Sequence, residues 1–468
     1  MSQEAIQGLG ESLYQFWQYY AEGFKTRTRD SNHYAFDYLK GLLRMTTERN
    51  FTSIGRATGN SGQNIQHFMT NSPWSAQSVL VKVRQEIAQV PEFATGGMLL
   101  LDESADEKSS SKSAGAGRQH NGRLGKIEMS QVGTFLSYVN DGVWTWVDGE
   151  LFLPEHWFDS SMASERKRLG VPEDREFKTK IELGWQMIER VSKEGLAFEA
   201  VGCDTLYGRS VWLRRKIGGA GLIYMADIPV DTLVYEDRPV VGVPKPEPGQ
   251  RGPVKKKAQV LSDHKPQEVR AIAQRADTRW RCIRVRDTER GELCDEFSVT
   301  SVWTTSDGGE PIQENLVMRR DAEGKCHFAL CNAPLNTPIE RLAWMKCQRH
   351  FAECANQNAK SEAGWDELRG QKFMSWEHHL AMTILATWFV GKTKHQWAKK
   401  YARSPQLLRE FEVDVLPRLS MGNIRELLRA VMPLPQLRVE EATGLVVEHL
   451  VNRTRSRKSR LSHIKSPP

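Results

Sequence analysis

No stretch of the chain is apolar for long enough to cross a bilayer as a helix. The longest such run, Leu380 to Val390, covers about half of the roughly 20 residues that a span requires, so no membrane partner is expected. The opening MSQEAIQGLGESLYQF has neither a basic segment nor an apolar one behind it. A secretory leader is therefore not expected, and the cytoplasm is. Cysteine is sparse and unpatterned: seven residues, an odd number, with no Cys-x-x-Cys. That argues against a disulfide framework and for reduced thiols. Cys282, Cys294, Cys326 and Cys331 could offer four thiolates to a zinc ion, although their spacings fit no ribbon well. What remains is the balance of a globular protein: 468 residues, 39% hydrophobic and 26% charged, enough for about three structural units. Lys+Arg 65 against Asp+Glu 58 leaves +7, a mild basic bias that favours a polyanionic partner without proving one.

Along the chain the pattern is helical up to about residue 94. Phe51, Ile54 and Ala57 share a helical face, Gly59-Asn60-Ser61-Gly62 interrupts it, and Ile65, Phe68 and Met69 resume it. Two helices about a short Gly-containing turn outline a helix-turn-helix at 51–70, or equally an ordinary helical hairpin. After Gly96-Gly97 the character changes. Met98 to Leu101 reads as a short apolar strand ending on Asp102, and a polar loop from Glu107 to Gly117 follows. Val132–Val139 and Val143–Leu153 read as strands joined by the turn Asn140-Asp141-Gly142. An amphipathic helix over 177–194 closes at Gly195. A second apolar strand, Phe198 to Val201, then delivers Cys203-Asp204. A helix near 208–217 and a strand from Leu222 to Ala226 complete a mixed α/β sheet with crossovers.

Pro239 to Lys257, proline-rich with a Lys255-Lys256-Lys257 cluster, reads as an exposed linker. Short alternating stretches from Arg279 to Ala333 predict an all-β insertion. A long helix starts near Ile339 behind Pro338, and a second, Trp376 to Val390, is apolar nearly all round and should be buried. The last eighteen residues carry six Lys/Arg and no acid, which reads as a disordered basic tail.

Chemistry concentrates on three acids. Asp102 and Asp204 stand at the carboxyl ends of apolar strands, the edge of an open α/β sheet where ligands collect. A lone acid there can equally be an N-cap for the next helix. In the long helix, Arg349, Glu353 and Lys360 fall on one face at i, i+4 and i+11. Such a stripe can be a solvated ion-pair ladder. It can also complete a set of three carboxylates able to hold two Mg²⁺ (or Mn²⁺) about 3.5–4 Å apart for phosphoryl transfer. Arg349 and Lys360 would then meet flanking phosphates.

The segments LLLDES, GAGRQHNGRLGKIEMSQVGTFLSY, LPEHWFDS, GVPEDREFKTKIEL, VGCDTLYG, RHFAECANQNAKSEAGWDELRG and SWEHHLAMTILA run in order from about 95 to 390. In these the chain resembles the DDE transposases of bacterial insertion sequences, the IS4-like and IS701-like group with an RNase H-like core. That group carries the signature Tyr-x2-Arg-x3-Glu-x6-Lys. Arg349-x3-Glu353-x6-Lys360 matches it, with Lys346 at the tyrosine position.

The resemblance implies that Asp102, Asp204 and Glu353 are the catalytic, metal-binding triad, with two Mg²⁺ per site. It implies a mixed-sheet RNase H-like core flanked by helices, its first part at 95–235 and its second at 339–395. A linker and β-rich insertion would occupy 236–338, a helical DNA-binding region 1–94, and a helical region with a basic tail 396–468. In relatives of this layout the insertion lies over the transposon end and supplies an aromatic for a flipped base, for which Trp303 and Trp280 are candidates, or simple packing residues. Lys108, Lys112, Arg118, His120, Arg123 and Lys126 could follow a phosphate backbone, or could be solvated charges. Tyr207 and Arg209 match a D-x-x-Y-G pattern and would support the site. The implied partner is double-stranded DNA, transposon ends and target, bound by a homodimer in a bacterial, nucleoid-associated setting. The implied activity is cut-and-paste transposition with strand cleavage and transfer, through hairpin ends. The alternatives are a DNA-binding protein that keeps the fold without catalysis, and a zinc-linked protein built on the four cysteines.

Overall fold

The structure is a computed structural model that describes residues 3–464 apart from 27–29, 110, 123, 245–256, 264, 289–290, 306–309, 411, 413–418 and 435–438. Its centre is a ten-stranded sheet: β1 (Met98–Glu107), β2 (Gly117–Asn121), β3 (Lys126–Asn140), β4 (Val143–Leu151), β5 (Ala200–Cys203), β6 (Ile223–Ile228), β7 (Arg281–Thr288), β8 (Gly291–Thr304), β9 (Ile312–Arg320) and β10 (Cys326–Cys331). The spatial order is β7-β8-β9-β10-β6-β5-β1-β3-β2, with β4 also paired to β3. Only β1, β5 and β6 run parallel; all other pairings are antiparallel. The parallel strands are the apolar runs of the sequence, as burial on both faces demands.

Alternation along β1 sorts its side chains. Leu99 and Leu101 enter a core with Met187 and Ile188 of helix α6 (Lys180–Lys193). Among the described residues before it, the longest helices are α1 (Leu9–Tyr20), α2 (Asn32–Arg44), α3 (Phe51–Thr58), α4 (Gly62–Thr70) and α5 (Ala76–Ala88). Helix α7 (Val211–Gly219) lies between β5 and β6 in the chain. Met98 and Leu100 turn the other way, against Leu342 and Ala343 of α8 (Ile339–Gln348) and Ala352 of α9 (His350–Ser361). Asp102 follows this second set and so faces α9.

Helices α1–α5 share one hydrophobic core with the sheet and with α10 (Phe373–Tyr401). Polar ties reinforce that union: Tyr38 Oη lies 2.9 Å from His379 Nδ1, and buried Arg84 donates to the Val147 carbonyl at 2.8 Å. In the expected helix-turn-helix, Asn50 caps α3, Gly59 takes a left-handed φ of 76°, and Ser61 caps α4. Gly55 lets the two helices touch backbone to backbone, since a Cβ there would meet the Gly62 nitrogen at 2.7 Å.

Several expectations change. β1 does not stop at Asp102 but continues to Glu107, because its polar second half pairs with the long β3 through Glu107↔Ser130. β3 starts at Lys126 instead of Val132, and β2 begins at Gly117, where the expected loop ends, so Arg118 and His120 are strand residues. Hairpin pairing overrides the polar composition there. Between residues 236 and 338 the chain is β-rich, with the short helix Val269–Ala273, and β7–β10 extend the core sheet through Leu330↔Ala226 instead of forming a unit of their own. The single long helix predicted from Ile339 is two helices meeting at Arg349. The tail read as disordered is helical through Ile464 (Val439–Ile464). No proline or glycine occurs from Leu445 to Ile464, and acids in the first half with bases in the second complement the helix dipole. Most of the expected linker, residues 245–256 including Lys255 and Lys256, lies outside the described residues.

Candidate functional site

The register of the parallel strands builds the site. Leu101 pairs with Cys203 and Cys203 with Ala226, so the next residues, Asp102, Asp204 and Asp227, form a row of acids across three neighbouring strands about 4.8 Å apart. Asp102 is buried. One carboxylate oxygen accepts the Glu103 amide at 2.9 Å, the other accepts Asn356 Nδ2 at 3.1 Å, and Arg349 Nη1 stands 3.5 Å away. Burial pushes its pKa up to about 6, against the pull of Arg349, with Asp204 adding to the rise. Asp204 is both strand-end acid and helix cap. It accepts the amides of Leu206 (3.0 Å) and Tyr207 (3.4 Å). Burial raises its pKa too, opposed by Arg349 and those amides.

The helix side differs. Glu353 keeps 65% of its side chain exposed and is held by an ion pair with Arg349 at 3.3 Å. Arg349 thus stands between Asp102 and Glu353, half-buried, its Nε and Nη1 atoms enclosed and, among the described residues, without a hydrogen-bond partner. Burial alone would lower its pKa, but Asp102, Glu353, Asp204 and Asp227 together hold it above the ordinary value. Among the described residues no three acids or other ligating side chains converge as they stand, because Glu353 is turned to Arg349. The donor set nevertheless suits a hard divalent cation: carboxylate oxygens only, two of them on adjacent strands, around a position where the fold has already put positive charge. A groove of about 660 Å³ opens beside Glu353, lined also by Arg49, Asn356, Gln357, Lys360 and Asp366.

The other predicted residues are distributed unevenly. Lys360 reaches back to β1, donating to the Ala105 carbonyl at 3.2 Å with Asp106 at 3.5 Å. Lys346, only 5% exposed, donates to Asp227 at 2.8 Å and so is turned into the fold. Tyr207 is buried, its hydroxyl 3.4 Å from Thr134 Oγ1, while Arg209 is exposed and bonds back to the Thr205 carbonyl. Arg118, His120 and Lys126 are exposed on the β2–β3 hairpin, and Lys126 pairs with Glu128 at 3.3 Å. Lys108 is half-buried and Lys112 exposed; Arg123 lies outside the described residues.

Trp303 sits on β8, five strand positions from β1, or about 24 Å across the sheet. It is bridged to Tyr235, with Arg238 over its ring. Trp280 packs on the small core beneath β8–β10, under Arg320. The four-cysteine zinc set does not assemble. Cys282 pairs with Glu296, Glu296 with Arg320 and Arg320 with Cys326, which separates two of the thiols by three strand spacings, about 14 Å, and Cys331 is buried. Among the described residues no helix is long and apolar enough to cross a membrane.

Sequence reasoning missed Asp227 and Asn356. Asp227 had a signal, since it follows the apolar run Ile223 to Ala226 as Asp102 and Asp204 follow theirs. Asn356 had none, because an amide within a polar helix face resembles any solvated residue.

A family of DDE superfamily endonucleases matches residues 20–292, a span that contains Asp102 and Asp204 and ends before Glu353. A protein of Microchaete diplosiphon described as "Probable transposase for insertion sequence element IS701" is 27% identical over 194 residues, 41% of this chain and 47% of that protein. The chain thus spans about half the length of this curated relative. With the match extending over more than half of the chain and two acids paired by strand register within it, the chain belongs to the DDE superfamily endonucleases.

Proposed function

We propose that the chain is the transposase of a bacterial insertion sequence, with an RNase H-like core, that cleaves DNA at the ends of its element and joins the freed 3′ ends to target DNA. The observation that carries the reading is the register placing Asp102 beside Asp204 on parallel strands, on the face where α9 carries Glu353. Asp102, Asp204 and Glu353 would hold Mg²⁺, or Mn²⁺ in its place. Bound there, such ions activate the attacking oxygen and stabilise the leaving 3′ oxygen.

The chain's own residues do the positioning. Asp102 and Asp204 are held in place by backbone amides. Arg349 would exchange its carboxylate partners for a DNA phosphate, by the bidentate geometry that suits a guanidinium, which frees Glu353 to turn inward. Lys360, pinned to β1, fixes the outer end of α9 beside the groove. The exposed hairpin with Arg118, His120 and Lys126 supports contact with the backbone of the flanking duplex.

The α3–α4 unit supports end recognition. Gln63, Asn64, Gln66 and His67 are exposed on its second helix, and amide side chains can read adenine edges in the major groove. A homodimer synapsing two ends, and hairpin intermediates, belong to the same reading. Trp303 or Trp280 would stack on a flipped base only for DNA that passes over the β7–β10 part of the sheet.

The test is a labelled duplex from the flank of the chain's own gene, incubated with Mg²⁺ or Mn²⁺ and the wild type, Asp204→Ala or Glu353→Ala. Metal-dependent cleavage at the junction, lost in both variants, establishes the triad. Binding without cleavage under either metal favours a DNA-binding protein without catalysis. Cleavage that survives Glu353→Ala places the third acid elsewhere.

A further inference from the structure

A buried indole, an amide and the first catalytic acid lie in one line. Trp146 on β4 is 1% exposed, stacked on Phe135 with centroids 4.0 Å apart and edge-on to Trp365. Its Nε1 donates to Asn356 Oδ1 at 2.9 Å, and Asn356 Nδ2 donates to Asp102 Oδ2 at 3.1 Å. The direction of this line is fixed by chemistry. An indole nitrogen can only donate, so the amide oxygen must face Trp146 and the amide NH₂ must face Asp102. Phe135, on which Trp146 stacks, is also the β3 residue in register with Asp102, so one packed unit sets both ends of the line.

We propose that Asn356 is a positioning residue of the catalytic centre: oriented by Trp146, it holds one oxygen of Asp102 so that the carboxylate presents its remaining lone pairs to a divalent cation. Asn356 lies three residues after Glu353, so a single turn of α9 carries both the third acid and the group that orients the first. A neutral donor suits the task. It fixes the rotamer without consuming the negative charge that the cation needs, which Arg349 would do if it were the sole partner. Partners of this kind behind metal ligands commonly carry a large share of the affinity.

The inference rests on the triad reading, and the experiment separates the two. Mn²⁺ binding is followed by electron paramagnetic resonance on the full chain bound to the gene-flank duplex, with the duplex alone subtracted. Wild type is compared with Asn356→Leu, Trp146→Phe, the double variant and Asp102→Asn. Asn356→Leu, nearly the same shape without the donor, should weaken Mn²⁺ by roughly ten- to a hundredfold. DNA binding in chelator should stay unchanged. The melting temperature should fall only by what the orphaned Trp146 indole N–H costs, and the double variant, which has no indole N–H, should recover that loss while Mn²⁺ stays weak, which a packing role would not give. Trp146→Phe should weaken Mn²⁺ less, because the amide remains but is free to turn over. The double variant should be no worse than Asn356→Leu alone, because both act through one line. Asn356→Leu with wild-type Mn²⁺ affinity, where Asp102→Asn has lost it, overturns the positioning role and leaves the triad standing. Wild type that binds no more Mn²⁺ than Asp102→Asn removes the metal site and both readings with it.

Discussion

The two sides of the acidic centre are built on opposite principles. On the sheet side, Asp102 is buried and Asp204 half-buried, both tied to backbone amides and set side by side by strand register. On the helix side, Glu353 is mostly exposed and held by a single ion pair to Arg349. Exposed i,i+4 pairs contribute only ~0.3–0.5 kcal/mol, so the helix acid is nearly free to change partners. The sheet thus provides the fixed half of a charge cluster and the helix the half that can turn. Under the proposed function, DNA would supply a partner for the arginine, and Glu353 would enter the site only then.

This contrast is open to attack by mutation. The largest effects should fall on cleavage, where Asp204→Ala and Glu353→Ala both drop to background. Their stabilities should diverge. Asp204→Ala also removes a helix cap and should cost ~1 kcal/mol, whereas Glu353→Ala should stay within about 0.5 kcal/mol of wild type in urea unfolding. Equal destabilisation would erase the distinction between the two sides.

Lys346→Met comes next. It leaves Asp227 without its cation at the same sheet edge, and a loss of ~3 kcal/mol is expected from chemical denaturation. A variant as stable as wild type would show that the pair is not part of the fixed half.

Asp102 makes the fixed half sensitive to pH. With its pKa raised to about 6, metal-dependent cleavage should rise as the pH passes upward through 6. The folded-state pKa lies above the unfolded value of about 3.9, so the fold takes up a proton here. This group's contribution to stability therefore falls as the pH rises from about 4 to about 6, and Mg²⁺ should return some of it at pH 7. Melting curves in chelator and in Mg²⁺ across that range check the sign.

The smallest effect concerns the C-terminal helix. Removing residues 453–468 should flatten the salt dependence of DNA binding while leaving cleavage chemistry intact, since fewer counterions are released. An unchanged slope takes those arginines out of DNA binding.

Local signals made part of this architecture legible. Short apolar runs gave β1, β5 and β6, with the acids that trail the first two, and period and capping gave α3, α4 and α6. The all-apolar segment gave buried α10. The polar strands were not legible: β2 and the ends of β1 and β3 look like loop in composition and exist because a partner strand satisfies their backbone groups. The same holds for Arg349, which the sequence puts within one helical stripe and the structure puts at a junction between two helices.

Local chain geometry sets the kind of acid, its place directly after an apolar run, and the spacing from Arg349 to Lys360, and all of these are legible in the sequence. The folded chain adds that Lys346 turns inward to Asp227, that Asn356 reaches Asp102 from 254 positions away, and that β7–β10 continue the sheet. Those outcomes depend on strand register and helix docking, which join distant residues through long-range packing that no local pattern encodes.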